Sequence, residues 1–237
     1  MELKIKWPID KETASENDVV ILVDILRATS AITTLINRGA QWVKPVVDVD
    51  EARVIAAGEM TLLMGERDCV KLEGFDFGNS PTEILKHDVN GARVVFTSTN
   101  FPKTLAVAGK SQMILVGSML NITAVTEYAY KYASENNRDI CYVGAGYEGK
   151  PSEEDAVFAG VSAKMLGEKA EPAEDVREAI DVVGTYGMIE LIKYSEHAHR
   201  LYKAGFEEDV EFASRVDQYG VVGVYCNGII RSTADGV

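Results

Sequence analysis

The sequence predicts a layered α/β/α fold around a mostly parallel or mixed sheet, either as one domain or as two closely packed lobes. Three observations carry this. Short apolar, β-branched runs such as VVILV (19–23), RVVFT (93–97) and ICYV (140–143) alternate with longer stretches of helical period. Runs that are apolar at every position suit strands covered on both faces. The 237 residues, 46% hydrophobic and 26% charged, suffice to bury a substantial core without staples.

In chain order, strands are expected at 19–23, 43–47, 61–64, 93–97, 113–116, 140–143 and 221–226. Helices are expected at about 29–38, 50–58, 81–88, 119–136, 153–167 and 188–204. Pro45 should weaken the second strand or place it at an edge, because proline cannot donate to a ladder. The polar stretch 167–180 reads as a surface connection. The mostly helical part from about 168 to 237 allows a second lobe.

Net charge is −13, spread along the chain, and such a field opposes nucleic-acid backbones. It leaves room for a small anionic substrate, since local arginines, backbone N–H groups or a divalent cation reverse the field in one cleft. Cys69, Cys141 and Cys226 are odd in number and widely spaced, so each reads as a small buried hydrophobe rather than part of a disulfide or zinc site. MELKIKWPID lacks a signal-peptide core, and no apolar run approaches a membrane span, so a soluble cytoplasmic protein is expected. The choice between monomer and homo-oligomer stays open.

Four segments carry candidate chemistry. DILRATS (24–30) places Asp24 at the end of an apolar strand, where ligands of open α/β sheets bind. Thr29 and Ser30 suit the cap of the next helix, whose N-terminus attracts phosphate, and Arg27 adds a planar fork of donors. A capped helix with a structural Asp–Arg pair explains the same residues equally well. GERDCVKLEGFDFGNSPTE (65–83) has a helix start in Ser80, Pro81 and Glu83, which is structural; Glu66, Arg67, Asp76 and Asn79 are left to line a cleft. TSTN (97–100) follows RVVF and offers hydroxyls and an amide for a phosphate or oxyanion, although taken alone it reads rather as a polar turn with a helix cap near Thr99 or Asn100.

Gly144, Gly146 and Gly149 spell GxGxxG, but Pro151 and a capping box at Ser152–Asp155 delay the helix and argue against a dinucleotide site. Glu154 and Asp155 at that helix start serve its dipole, with a metal role for Asp155 left open. His197 and His199 are two apart and share no helix face, and His87 stands alone.

The ordered set D..R.TS, GER, GFDFGNSP and TSTN, with SEEDAVFAG and the segment SEHAHRLYKAGFEEDVEFASRVDQYGVVGVY, resembles the 2-phosphosulfolactate phosphatase family, called ComB, over nearly the whole chain. The resemblance implies an α/β fold and Mg²⁺-dependent removal of phosphate from 2-phospho-3-sulfolactate, a step toward coenzyme M. One stretch departs from the family's pattern: STNFPKTL at 98–105 has Phe101 and Pro102 for a Gly-Thr pair and Lys103 for an arginine.

On that basis Asp24, Asp155 and Asp76 are the expected Mg²⁺ ligands. Arg27, Thr29 and Ser30 are expected to steady the phosphoryl oxygens, with Asn79 also binding substrate. Arg67 and the 97–103 loop, with Thr97, Ser98, Thr99, Asn100 and Lys103, are expected to take the carboxylate and sulfonate end. Glu66 is the candidate acid or base, and water attack ranks ahead of an aspartyl-phosphate because DIL lacks the second acid of a DxD signature. The alternatives are a phosphatase for another small phosphorylated 2-hydroxy acid and a non-catalytic anion-binding protein on the same scaffold.

Overall fold

The computed structural model describes residues 1–6, 10, 13–58, 61–146 and 150–235. The fold is α/β, built on a mixed sheet of 11 strands. In chain order the elements begin β1 (Glu2–Lys6), β2 (Asp18–Val23), α1 (Ala28–Asn37), β3 (Trp42–Pro45), α2 (Val49–Gly58), β4 (Thr61–Arg67) and β5 (Val70–Lys71). There follow α3 (Pro81–Ile84), β6 (Arg93–Thr97), α4 (Phe101–Ala108), β7 (Met113–Gly117), α5 (Ile122–Asn136), β8 (Asp139–Gly144), α6 (Glu153–Leu166) and β9 (Glu171–Pro172). The chain continues through α7 (Glu174–Tyr186), α8 (Met188–Lys193), α9 (Glu196–Lys203) and α10 (Glu207–Ala213) into β10 (Gly223–Cys226) and β11 (Ile229–Ser232).

Two parallel blocks make up the sheet. One runs β7-β2-β8-β1-β9. The other runs β4-β6-β3, with the short β5 antiparallel at its outer edge. The hairpin β10–β11 joins them, β10 antiparallel to β7 and β11 antiparallel to β3. Residues 223–232 thus lie inside the same sheet as the earlier strands.

β2 shows why a run apolar at every position forms a central strand. All six of its residues are buried. Val19, Ile21 and Val23 face a core shared with α5, α6 and α7, while Val20 and Leu22 face a second core shared with α1 and α4. Each such side chain, fully buried, contributes about 1.5–3 kcal/mol relative to exposure. A third, smaller cluster sits under α2, around Ala52, Phe75 and Val95. α4 leaves β6 yet packs on β2 and β8 of the other block, which brings loops from both blocks together.

Several sequence expectations change. β3 is internal, between β6 and β11; Pro45 is tolerated because it is the strand's last residue and the β11 pairing is confined to Ile230 and Val43. The polar stretch 167–180 is not a plain connection, for it holds β9 and the start of α7. α7 lies so close to α6 that a Cβ at Gly160 would be 2.6 Å from the Ala179 carbonyl oxygen. The expected helix 188–204 is broken, and Ser195 caps α9 by accepting from the Ala198 N–H at 3.1 Å. Residues 101–103 of the expected 97–103 ligand loop open a helix, 101–108, whose N-cap position is Asn100, one of the two places where a cap was read. Among the described residues, no helix is long and apolar enough to cross a membrane.

Candidate active site

The DILRATS segment ties itself into a rigid corner. The Asp24 N–H donates to Thr29 Oγ1 at 3.1 Å, Ser30 Oγ donates to the Ile25 carbonyl at 2.8 Å, and the Ala28 N–H donates to Asp24 Oδ1 at 3.3 Å. The expected caps therefore play another part. α1 starts at Ala28, so Thr29 and Ser30 lie inside its first turn and spend their hydroxyls on the loop, while Asp24 supplies the capping carboxylate. The Leu26–Arg27 peptide is cis.

Arg27 is 3% exposed and donates from Nη1 to Asp209 Oδ2 at 2.7 Å. Its guanidinium stacks on Phe206 at 4.0 Å from the ring centre. The other oxygen of Asp209 accepts from Ser80 Oγ, Thr82 Oγ1 and the Thr82 N–H at 2.7, 2.6 and 3.2 Å. One carboxylate from α10 thereby locks the first motif to the third. Ser80 and Pro81 start α3 as the sequence indicated, with the Glu83 N–H donating to Ser80 Oγ at 3.0 Å.

The GER motif ends β4 in a two-residue hairpin, Asp68 and Cys69, both with positive φ (53° and 66°). Glu66 organises this turn. Its Oε2 accepts from the Cys69 N–H at 2.9 Å, and its Oε1 accepts from the N–H and hydroxyl of Thr99 at 3.0 and 3.1 Å. Gly65 has no alternative here, since a Cβ would sit 2.6 Å from the Thr97 carbonyl oxygen on β6. Arg67 turns away, donating to the carbonyls of Glu66 and Val47 and to Thr97 Oγ1.

Opposite these loops, His197 of α9 meets Glu154 of α6, Nδ1 to Oε1 at 3.3 Å, with Glu154 3% exposed. Burial works against a charged ring, yet hydrogen bonds to Cys69 and Glu154 and the carboxylates of Glu154 and Asp24 push its pKa up to about 10. Burial pushes the Asp24 carboxyl up to about 6; His197 and the Ala28 N–H oppose that shift, and Glu66 and Glu154 add to it. Asp155 lies behind, accepting from the N–H groups of Ile25 and Gly146 at 3.0 and 3.2 Å. Its carboxyl is raised well above the ordinary range by burial first, then by Glu154 and Asp24. Asp155 keeps its expected place in the first turn of α6 and in addition clamps together the loops after β2 and β8. Gly149 of the GxGxxG letters lies outside the described residues.

These parts enclose a cavity of about 180 Å³. Asp24, Glu66 and Asp68 bring acid to it, while Arg27, Lys103, His197 and Arg200 bring positive charge. Asn79, Ser98, Thr99 and Asn100 complete its polar wall. The Asn79 amide is 5% exposed and its Oδ1 has no hydrogen-bond partner. Among the described residues, no three His, Cys, Asp or Glu side chains converge as a metal cage. Mg²⁺ takes one or two carboxylates plus phosphate oxygens and water, and Asp24 with the orphaned Asn79 Oδ1 offers two hard oxygens on one cavity.

Of the sequence candidates, the cavity thus gathers Asp24, Arg27, Glu66, Asn79, Ser98, Thr99, Asn100 and Lys103. Thr29, Ser30, Arg67, Thr97 and Asp155 stand behind it as supports. Asp76 is not brought to it; the side chain is exposed and accepts from the Leu63 N–H at 2.7 Å. Phe101, expected in a ligand loop, is fully buried edge-on to Phe96 at 5.7 Å. Cys69 is half-buried: it packs against the main core and also lines the cavity. The sequence reading missed His197, Arg200, Asp68 and Asp209. The signal available for the first two was their i, i+3 spacing, which puts them on one helix face; pairing His197 with His199 hid it. Asp209 carried none.

Residues 6–228 match the family described as 2-phosphosulpholactate phosphatase. A protein of Caldanaerobacter subterraneus subsp. tengcongensis named probable 2-phosphosulfolactate phosphatase is 35% identical over 233 residues, 95% of this chain and 94% of that protein. Proteins of the same name from Thermotoga petrophila and Clostridium perfringens strain SM101 are 37% and 34% identical, over 94% and 97% of this chain and 92% and 94% of theirs. Matches of that extent, together with the order of the four loop motifs around one polar cavity, place the chain in the 2-phosphosulpholactate phosphatase family.

Proposed function

We propose that the chain is a Mg²⁺-dependent phosphatase that hydrolyses 2-phospho-3-sulfolactate to 3-sulfolactate and phosphate, a step of coenzyme M biosynthesis. The observation that carries this is the cavity's division of labour. Asp24 and an unpartnered, buried Asn79 oxygen share it with Lys103 and Arg200. A polyanionic ester needs both a cation site and cationic side chains, and the family relationship supplies the ester.

Asp24 and Asn79 would hold Mg²⁺, which when bound neutralises phosphoryl charge and orients the reacting groups. Arg27, fixed by Asp209 and Phe206, keeps further N–H donors for phosphoryl oxygens, which is where catalysis of phosphoryl transfer chiefly arises. Lys103 and Arg200 are suited to the carboxylate and sulfonate. Glu66, with both oxygens already accepting, fixes the turn at Cys69 and the loop at Thr99. Attack comes from water, with the ester oxygen leaving.

A panel of 2-phosphosulfolactate, phospholactate and phosphoglycolate, assayed with Mg²⁺ and with EDTA, tests the reading. The expected result is EDTA-sensitive phosphate release, fastest on the sulfonated ester, and none from Asp24→Asn. Equal rates on all three esters would remove the sulfolactate assignment, and undiminished turnover in EDTA would remove the metal.

A further inference from the structure

We infer that His197, anchored by Glu154, is the proton donor to the leaving-group oxygen of the phosphate ester; the inference rests on the phosphatase reading above. An alkoxide is a poor leaving group, so the ester oxygen needs a proton as the P–O bond breaks. Glu66 was the sequence candidate for that duty. In the structure its two oxygens accept from the Cys69 N–H, the Thr99 N–H and the Thr99 hydroxyl, so it is committed to holding two loops.

His197 is held less tightly: its ring hydrogen bonds to Glu154 and to the Cys69 thiol, and a thiol is a weak partner that an ester oxygen in the cavity can replace. The ring lines the same cavity as Asp24, and the side chain keeps 13% exposure there. Glu154, 3% exposed, holds Nδ1 at 3.3 Å and so fixes the ring, the arrangement by which a carboxylate orients a catalytic imidazole. The titratable groups acting on the ring are Cys69 in the turn after β4, Glu154 on α6 and Asp24 after β2, in a cavity that Glu66 and Arg200 also line. The carboxylates favour an imidazolium, in line with the upward shift noted above.

The step balances. The water oxygen bonds to phosphorus, and the P–O(ester) bond breaks with its electron pair passing to the ester oxygen. That oxygen takes the proton from Nε2 of His197 and departs as the alcohol. The proton released by the attacking water restores the imidazolium, so the net reaction is ester plus water to alcohol plus phosphate.

The test compares two leaving groups. Phospholactate releases an alkoxide and needs the proton; acetyl phosphate releases acetate and does not. The variant is His197→Asn, whose amide nitrogen substitutes for Nδ1 and keeps the Glu154 contact while removing Nε2. The wild type should hydrolyse both. The variant should lose on the order of 10²–10⁴-fold in kcat on phospholactate, the usual reach of general acid catalysis, and within about tenfold on acetyl phosphate. Because the result is a ratio within one protein sample, partial unfolding cancels. Equal losses on the two compounds would overturn the acid role and leave the phosphatase reading standing. A wild type inactive on both and on 2-phosphosulfolactate would overturn the phosphatase reading itself; if it turns over 2-phosphosulfolactate alone, that ester takes the place of phospholactate in the His197→Gly test below. If only phospholactate is a substrate, His197→Gly decides: imidazole in the buffer should restore its rate, and no restoration would overturn the role.

Discussion

Arg27 and Asp209, 182 residues apart, form an ion pair at 2.7 Å in which the side chains keep 3% and 1% of their exposure. Buried pairs of this kind are expensive to break from one side, because the surviving charge is left without its partner. Asp209→Ala should therefore cost about 3–5 kcal/mol in urea unfolding. Replacing both partners by apolar residues, as in Arg27→Met with Asp209→Leu, should recover much of that stability while abolishing turnover. A double replacement no more stable than Asp209→Ala would show that the hydroxyls of Ser80 and Thr82, not the charge pair, set the cost.

Phe101, expected from the sequence to lie in a ligand loop, is a core residue. It is fully buried and meets Phe96 edge-on. Phe101→Ala should cost about 3–5 kcal/mol, the usual range for a buried aromatic, while the folded fraction keeps its KM. Thermal melts with kinetics on the folded protein check this. A raised KM with unchanged stability would return Phe101 to the ligand loop.

Lys103 belongs to the same helix but its side chain is exposed and reaches the cavity. One charge-assisted hydrogen bond contributes roughly 1.5–3 kcal/mol, so Lys103→Met should raise KM on the order of 10- to 100-fold. The effect should be largest for the substrate with most negative charge, and a panel of phosphorylated hydroxy acids measures it. Equal effects across the panel would mean that Lys103 acts on the phosphate common to them all.

His197 also predicts how stability follows pH. Its pKa is raised from 6.5 to about 10 on folding, so the native state holds the extra proton more tightly. The stability this gives is fully present below pH 6.5 and is lost as pH rises through about 10. Asp24 acts in the same sense at lower pH, its contribution being lost as pH rises through about 6. Urea midpoints of the metal-free protein should therefore fall between pH 6.5 and 10, and His197→Asn should flatten that decline. A wild-type midpoint that is level across the range contradicts the assignment.

What the sequence made legible was local. β2, β6 and β8 announce themselves because strands buried on both faces are mostly apolar, and the Ser80–Pro81 start obeys capping rules, whereas Ser152, the expected cap of α6, makes no side-chain cap bond. The loops bearing Asp24, Glu66, Asn79 and Ser98 meet in one cavity, as their shared positions after strands suggested. What stayed hidden was set by distant partners. β5 and β9 are two residues each, too short for any period to show. α4 was obscured because Phe101 and Pro102 looked like a disrupted loop, although proline suits a helix's first turn. Asp209 sits among Glu207, Glu208 and Glu211 and looks like one more solvated acid; only its contact with residues 27, 80 and 82 separates it from them. Asp76 shows the reverse error, a carboxylate in a suggestive motif that serves the Leu63 backbone.

The hairpin of residues 223–232 sits between two blocks made from earlier sequence. During synthesis, β3 and β7 must wait with bare edges until that hairpin leaves the ribosome. Exposed edges invite pairing with other chains, so the nascent protein passes through an aggregation-prone interval that ends only when its final strands arrive. Ribosome-stalled chains ending before Gly223 should accordingly depend on chaperones, and chains released after Ser232 should not.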